Sequence, residues 1–192
     1  MATSRKRAAR SQLRIIGGEW RSRRLAFTPA EGLRPTTDRV RETLFNWLAP
    51  AIHGARCADL FTGSGALGLE ALSRGAARCD FVDSSAAAVR QVQAHLDTLG
   101  AASRGHCHRR SALEFLAGCG DKFDIAFIDP PFGSGLVEPC CEVLASRQLL
   151  EKSAFIYIET AAQEVLPDLP QSWELYREKR AGGVTCRLFS AL

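Results

Sequence analysis

The chain of 192 residues is 46% hydrophobic and 24% charged, which is typical of a globular protein with one domain and a small extension. Its apolar runs are far shorter than a membrane span and no signal-peptide pattern precedes them, so we expect a cytoplasmic protein that does not contact a membrane. The seven scattered cysteines form no Cys-x-x-Cys pair and indicate neither a disulfide framework nor a zinc ribbon. His106-Cys107-His108 lacks a further ligand pair at usable spacing, and we predict no metal site.

The net charge of +4 is unevenly divided along the chain. Residues 1–41 contain eleven Lys/Arg against three Asp/Glu, a local excess of +8, whereas the remainder has an excess of −4. A basic N-terminal region on a mildly acidic domain predicts a polyanionic partner that binds to the N-terminal region. The alternative interpretation is a solvated basic tail that aids solubility. The candidate phosphate contacts are Arg21, Arg23, Arg24, Arg34, Arg39 and Arg41.

The first 50 residues divide into a tail and a small extension. We predict a disordered basic tail over 1–12, then a hairpin and a helix over 13–50 that contact RNA or a cofactor. The hairpin strands are 13–16 and 24–27. Thr37 or Asp38 can cap the helix, whose first turn then holds Arg39 and Arg41. Because the helix dipole disfavours cations there, an anionic ligand explains them better than helix stability does.

From Cys57 onward strands and helices alternate, which is typical of an α/β protein with a mostly parallel sheet. Strands are predicted near 56–61, 78–83, 104–109, 123–129 and 153–159. Helices are predicted near 66–74, 85–99, 111–118, 136–147 and 161–166. The stretches 173–180 and 184–189 alternate apolar and polar residues around Gly182-Gly183, so they predict an antiparallel hairpin that closes the sheet.

A glycine-rich loop follows the first main strand. Residues 63–68 fit the G-x-G-x-x-G pattern, and Asp83 lies twenty residues beyond Gly63, at the end of the next strand. This spacing suits both a nicotinamide dinucleotide and S-adenosylmethionine. Asp59 favours S-adenosylmethionine, because a carboxylate would repel a pyrophosphate but would attract a cationic amino end. The cofactor-binding candidates are Asp59, Phe61, Thr62, Gly63, Gly65, Asp83 and Ser84, with Ser111 and Ala112 beside the adenine, and Thr37.

The tetrapeptide Asp129-Pro130-Pro131-Phe132 follows the buried strand pattern of 123–128. Its prolines stop both strand and helix at the sheet edge where ligands bind in α/β proteins. The Asp129 carboxylate and the Pro130 carbonyl can accept the two N–H bonds of an exocyclic amine, while Phe132 stacks on the base. A proline-rich turn with a packed Phe132 is the alternative interpretation. We take all four residues as catalytic candidates.

Together these stretches resemble the RsmD family of bacterial 16S ribosomal RNA guanine-N2 methyltransferases. The similarity extends from about residue 13 to the end of the chain. The sequence Arg-Pro-Thr-Thr-Asp-Arg-Val-Arg-Glu over 34–42 is its most specific part, and the glycine loop and the tetrapeptide also match.

The resemblance implies a Rossmann-like S-adenosylmethionine-dependent methyltransferase fold over 51–192, with a seven-stranded sheet, plus the N-terminal hairpin. It implies methylation of one guanine of 16S rRNA within an assembling or assembled small ribosomal subunit, by a monomer. Two alternatives remain at this point. One is a DNA adenine-N6 or cytosine-N4 methyltransferase, which would use the same tetrapeptide, and the other is an RNA-binding assembly factor without catalysis.

Overall fold

The structure, a computed structural model, describes residues 11–28 and 37–192. The first two strands form a separate antiparallel hairpin, in which Ser11 pairs with Phe27 and Arg14 with Arg24. The elements of the described residues are β1 Ser11–Arg14, β2 Arg24–Phe27, α1 Asp38–Trp47, β3 Arg56–Asp59, α2 Ala66–Ser73, β4 Arg78–Asp83, α3 Ala86–Leu99, β5 Gly105–Arg109, α4 Ala112–Gly118, β6 Phe123–Ile128, α5 Val137–Ser146, β7 Leu150–Ala161, β8 Trp173–Ala181 and β9 Val184–Ala191.

Strands β3 to β9 form one sheet in the order β5-β4-β3-β6-β7-β9-β8. The pairs from β5 to β7 are parallel, whereas β9 runs antiparallel to both β7 and β8. The predicted seven-stranded sheet with its closing hairpin is therefore confirmed. Chain order moves outward from β3 to β5 and then returns to β6 on the other side of β3, so the topological switch point lies between β3 and β6.

The central strands β3 and β6 are buried on both faces, which explains why they are almost continuously apolar. Neighbouring residues of one strand point to opposite faces, so Cys57 of β3 belongs to one apolar cluster and Ala58 to the other. On β6, Phe127 and Ala126 divide in the same way. The first cluster includes residues of α1, α2 and α3, and the second includes residues of α4 and α5.

The segment after β1 is fixed to helix α2 by a buried carboxylate. The two oxygens of Glu70, a fully buried residue, accept hydrogen bonds of 2.8 Å from the backbone N–H groups of Ile16 and Gly17. Ser73 Oγ donates to the Gly17 carbonyl at 2.6 Å. Gly18 has φ +77°, and a Cβ there would lie 1.9 Å from the Ser73 carbonyl oxygen. The two glycines therefore permit a close approach between the hairpin and α2.

Two sequence predictions about secondary structure were wrong. Strand β1 begins at Ser11, inside the stretch 1–12 that we expected to be disordered; residues 1–10 lie outside the described ranges. The predicted helix over 161–166 is absent, because β7 continues to Ala161, which pairs with Val184 of β9. The Ala162 N–H then donates to the Gly183 carbonyl at 2.9 Å. In residues 11–28 and 37–192, no helix is long and apolar enough to cross a membrane.

Candidate active site

A cleft of about 740 Å³ opens at the carboxyl edge of the sheet, where β3 and β6 end. This is the switch point at which open α/β sheets bind ligands, and the volume is within the usual range for small-molecule sites. One wall follows β3 and β4, and the other follows β6. The predicted residues that line it are Asp59, Phe61, Thr62, Gly63, Asp83, Asp129, Pro130, Pro131 and Phe132.

The glycine loop of the first wall has the backbone geometry that its pattern predicts. Gly63 and Gly65 have φ of 52° and 83°, and Gly65 is the N-cap residue of α2. A Cβ at Gly68 would lie 2.3 Å from a ring carbon of Phe81, so glycine is needed for close packing of α2 on β4. Thr62, which is buried, donates from its hydroxyl to the Asp59 carbonyl at 3.0 Å. Two turn glycines and one packing glycine thus shape this wall.

Asp59 presents a carboxyl group to the cleft although the residue is only 2% exposed. Burial, with a smaller contribution from the nearby Asp83 carboxylate, raises the pKa of Asp59 to about 7. The Gly68 N–H opposes this shift by donating to Asp59 Oδ2 at 3.0 Å. A cation that enters the cleft would stabilise the ionised carboxylate, because it would replace the hydration that burial removes.

Asp83 connects the glycine loop to the start of α3. Its Oδ2 accepts from the Gly63 N–H at 2.9 Å, and its Oδ1 accepts from the Ser85 N–H at 2.8 Å. Ser85 in turn caps α3 by accepting from the Ala88 N–H. These bonds fix the carboxylate at the mouth of the cleft, where its remaining lone pairs can accept hydroxyl donors.

The tetrapeptide after β6 forms the second wall. Asp129 is half-buried and Pro130 is buried, whereas Phe132 is 45% exposed although it is a large apolar side chain. The Pro131 carbonyl accepts from the Ser134 N–H at 3.2 Å. Within the described residues, no hydrogen-bond donor reaches the Pro130 carbonyl. The exposure of Phe132 contradicts the interpretation of a packed core ring.

The hairpin and α3 close part of the cleft. The sequence predicted that the hairpin contacts RNA or a cofactor, but it did not indicate which residues of the hairpin or of α3 do so. Phe27 and Thr28 line it together with Gln91, whose Oε1 accepts from the Thr28 N–H at 2.9 Å. His95 Nε2 lies 3.0 Å from the Ala26 carbonyl. Burial lowers the pKa of His95, and the neutral ring donates to this carbonyl. Only the alternation in Arg24–Phe27, which places Leu25 and Phe27 on one face, indicated that this strand covers an apolar surface.

Three further residues of the cleft come from the β7–β9 side: Ala161, Gln163 and Gly183. The sequence analysis missed them because it assigned residues 161–166 to a helix. The pairing of β7 with β9 brings them to the cleft, and nothing local in the sequence indicates that pairing.

Several cofactor candidates lie outside the cleft lining. Ser84 is exposed. Ser111 caps α4 in a capping box with Glu114, to which it donates at 2.8 Å, and Ala112 packs in an apolar cluster. Thr37 caps α1 by accepting from the Val40 N–H at 3.4 Å, and it lines a second cleft instead. The structure therefore does not place these residues with the other cofactor candidates: Ser111 and Thr37 cap helices, Ala112 packs in the core, and Ser84 is exposed outside the lining.

The candidate RNA-binding arginines fall into three groups. Arg21, Arg23, Arg24 and Arg39 are exposed. Arg34 lies outside the described residues. Arg41, however, is only 1% exposed and is not a surface cation.

Arg41 has structural partners that explain its position in the first turn of α1. Its Nη2 donates to Asp38 Oδ1 at 2.6 Å and to the Arg14 carbonyl at 2.9 Å, and Nη1 lies 3.7 Å from Glu70 Oε2. The prediction that Arg41 binds RNA was therefore wrong. The anion that we expected beside this helix is supplied by carboxylates of the chain itself.

One histidine of the cluster His106-Cys107-His108 contacts a carboxylate of the neighbouring strand. His108 Nε2 lies 2.7 Å from Asp80 Oδ1, which Arg78 also contacts. Burial raises the pKa of Asp80, but the hydrogen bonds from His108 and Arg78 outweigh burial and lower it overall. No group of three possible metal ligands occurs in residues 11–28 and 37–192.

Comparison with known proteins places this fold and site in a family. The family described as "Conserved hypothetical protein 95" matches residues 13–190. Ribosomal RNA small subunit methyltransferase D of Escherichia coli strain K12 is 49% identical over 93% of this chain and 89% of its own length. The chain belongs to the ribosomal RNA small subunit methyltransferase D (RsmD) family. The RsmD protein of Haemophilus influenzae is 42% identical over 94% of this chain and 95% of its own length.

Solved structures of a putative methyltransferase and a putative methylase share this fold. An Escherichia coli structure superposes with a TM-score of 0.86 at 48% identity and covers 94% of this chain and 98% of its own. A Haemophilus influenzae structure has a TM-score of 0.81 at 39% identity, with 95% and 99% covered. The family match includes β2, α1 and the whole sheet, so the N-terminal hairpin is part of the RsmD unit.

Proposed function

We propose that this protein transfers a methyl group from S-adenosylmethionine to the exocyclic N2 amine of one guanine in 16S rRNA, within the small ribosomal subunit in the cytoplasm. The names of its RsmD relatives support the rRNA substrate and the reaction class. One observation carries the finer proposal. One wall of the cleft, opposite the glycine loop, carries three groups that follow β6. They are the Asp129 carboxylate, the Pro130 carbonyl, which accepts no hydrogen bond from the described residues, and the exposed Phe132 ring.

The residues of the first wall fit S-adenosylmethionine. Asp59 is a buried carboxyl group that requires a cation, which the amino end of this cofactor provides. The Asp83 carboxylate can accept from the ribose hydroxyls, and the glycine loop lets the backbone approach closely. A pyrophosphate beside Asp59 would be repelled, which argues against a dinucleotide. When bound, this cofactor supplies an electrophilic methyl group on a sulfonium.

Asp129 and Pro130 orient the amine in this proposal. The lone pair of a guanine N2 amine is conjugated with the ring and is therefore a poor nucleophile. Hydrogen bonds to the Asp129 carboxylate and the Pro130 carbonyl hold both N–H groups and favour a pyramidal nitrogen. The new N–C bond forms as the S–C bond breaks, and Asp129 accepts the proton that the nitrogen loses. Positioning of this kind can lower the reaction barrier by roughly 7–11 kcal/mol.

Phe132 provides the surface against which the base is held. Its exposed ring at the cleft suits stacking, which contributes about 1–3 kcal/mol per base. The guanine must first leave its own stack, at a cost of a few kcal/mol that is smallest for loop nucleotides. The stacking energy and the two amine hydrogen bonds together offset this cost.

The exposed arginines of the hairpin hold the RNA by its phosphates. Arg21, Arg23 and Arg24 lie in or next to the connection between β1 and β2, and Arg39 lies in the first turn of α1. Contacts of this kind fix the position of the RNA without reading its sequence. Arg34 belongs to the same proposal, on the basis of its charge alone.

Nucleoside mass spectrometry tests the proposed reaction. Small ribosomal subunits from a strain that lacks this protein are incubated with the purified enzyme and labelled S-adenosylmethionine. We expect one labelled N2-methylguanosine per 16S rRNA. Label in N6-methyladenosine or N4-methylcytosine would contradict the guanine assignment, and binding without any label would support the assembly-factor alternative.

A further inference from the structure

A second cleft, of about 350 Å³, adjoins the active-site cleft. It lies between the start of α1 and the turn that joins β8 to β9. Gly183 lines both clefts, so the two are neighbours on one surface. The described residues that line the second cleft are Thr37, Arg39, Val40, Glu159, Lys179, Arg180, Ala181, Gly182, Gly183 and Val184.

Three cations from two distant parts of the chain meet at this second cleft: Arg39, Lys179 and Arg180. In the described ranges none of them forms an ion pair, and Arg39 and Arg180 are exposed. Lys179 Nζ donates to Thr43 Oγ1 at 2.9 Å, which holds the ammonium group against α1. The cleft therefore presents positive charge that the described part of the chain does not neutralise.

The second cleft also contains one carboxylate, that of Glu159. Glu159 is only 3% exposed, and its Oε2 accepts from the Tyr157 hydroxyl at 2.6 Å. Glu159 is therefore buried, whereas Arg39 and Arg180 are exposed. The first turn of α1 adds partial positive charge on the same side, since the N–H groups at a helix start point outward.

We propose that the second cleft binds an RNA backbone phosphate adjacent to the guanine whose base enters the active site. Arg39 and Arg180 contact the phosphate, and Lys179 supports them electrostatically. This inference rests on the proposed rRNA methylation. A nucleotide that turns its base into the first cleft must keep its flanking phosphates at the mouth, and the cationic cleft that shares Gly183 is next to that mouth.

This phosphate site is distinct from the hairpin arginines. Those belong to the turn that Glu70 and Ser73 dock on α2, whereas the second cleft is built by α1 and the β8–β9 turn. The hairpin would hold the RNA generally, and the second cleft would fix the position of the target nucleotide. Its residues are positioning residues, so their loss should raise KM and leave kcat nearly unchanged.

A charge-matched pair of variants tests the proposal. The double variant Arg39→Gln/Arg180→Gln removes two cations of the cleft. The control Lys122→Gln/Lys152→Gln removes two exposed cations near the starts of β6 and β7, at the other edge of the sheet. RNA affinity is measured across a salt series with a 16S rRNA fragment that contains the guanine methylated by the wild-type enzyme. Methylation of small subunits gives KM and kcat, and calorimetry gives the affinity for S-adenosylmethionine.

The double variant should bind the fragment about fivefold more weakly at 0.1 M salt, and the slope of log K against log salt should fall by about 0.7–0.9, the change expected for one phosphate. KM should rise, kcat should change less than about threefold, and cofactor affinity should match the wild type. Salt slopes equal to those of the wild type and the control would overturn the proposal. Failure of the wild-type enzyme to form N2-methylguanosine would instead overturn the proposed function.

A second measurement does not depend on how the variant folds. One neutral methylphosphonate replaces the phosphate on either side of the target guanine in the fragment. At one of these two positions the wild-type protein should lose about fivefold in affinity at 0.1 M salt, the loss expected for one phosphate contact. The double variant should lose nothing further there. Equal losses in both proteins, or none in the wild type, would refute the phosphate site.

Discussion

The affinity for S-adenosylmethionine should fall as the pH drops below about 7, because Asp59 must be ionised to bind the cofactor's amino group. Burial raises the pKa of this carboxyl to about 7, so the free protein is mostly protonated at pH 6 and mostly ionised at pH 8. A bound ammonium favours the ionised form and lowers the pKa, and binding therefore releases a proton on the acidic side.

The size of this effect follows from the shifted pKa. With a pKa of about 7 in the free protein and a carboxylate that the bound ammonium keeps ionised in the complex, the ionised fraction of the free protein falls from about 0.9 at pH 8 to about 0.1 at pH 6. The dissociation constant should therefore rise about tenfold over these two pH units, or about 1.4 kcal/mol. Among the described residues that line the cleft, no histidine or cysteine offers another titration in this range.

Calorimetry at pH 6, 7 and 8 measures the effect, and Asp59→Asn is its control. The asparagine oxygen can still accept from the Gly68 N–H, so the loop geometry is kept while the charge is removed. The variant should bind S-adenosylmethionine more weakly at pH 8, with an affinity that does not change between pH 6 and 8. A wild-type affinity independent of pH, or the same pH dependence in the variant, would refute this role of Asp59.

Three further outcomes are expected. Asp83→Ala should weaken S-adenosylmethionine by about 1.5–3 kcal/mol in the same calorimetric assay, and an unchanged affinity would place the ribose elsewhere. Glu70→Ala should reduce the free energy of unfolding by about 3–5 kcal/mol in a urea titration, because it leaves two backbone N–H groups without their acceptor and removes the buried carboxylate beside the Arg41 guanidinium. Replacing the exposed arginines Arg21, Arg23 and Arg24 by Ala should lower the slope of log K against log salt for RNA binding by about two to three units, without changing cofactor affinity. Equal slopes in the variant and the wild type would show that these arginines only make the surface soluble.

The parts of the site that depend on local sequence could be predicted. The glycine loop is one short segment between a strand and a helix, and its φ angles follow from the positions of Gly63 and Gly65. The tetrapeptide was placed correctly because prolines end a strand wherever that strand lies in the sheet. The sequence also predicted that Asp83 lies near the glycine loop. It does so because β3, α2 and β4 are consecutive elements, and the Asp83 carboxylate accepts a hydrogen bond from the Gly63 N–H.

The sequence predictions were wrong where residues far away in the sequence determine the surroundings of a side chain or strand. Arg41 seemed exposed by its place in a helix start, but Glu70, twenty-nine positions further on, lies beside it in the buried interior. The stretch 161–166 was interpreted as a helix because β9, which supplies the hydrogen bonds to Ala161, comes much later in the chain. Gln91 on α3 reaches the hairpin across sixty-three positions. Such contacts leave no periodic or local signal.

The role of Asp129 is the central claim, and methyl transfer by Asp129→Asn tests it most directly. The matched control is Asp168→Asn, a change at an exposed residue that does not line the cleft. Tritium transfer to small subunits is measured together with the calorimetric affinity for S-adenosylmethionine. We predict that transfer falls by at least about 10²-fold, within the range for loss of a proton acceptor, while cofactor affinity stays within about tenfold. Transfer at the rate of the Asp168→Asn control would contradict the assignment of the amine to Asp129.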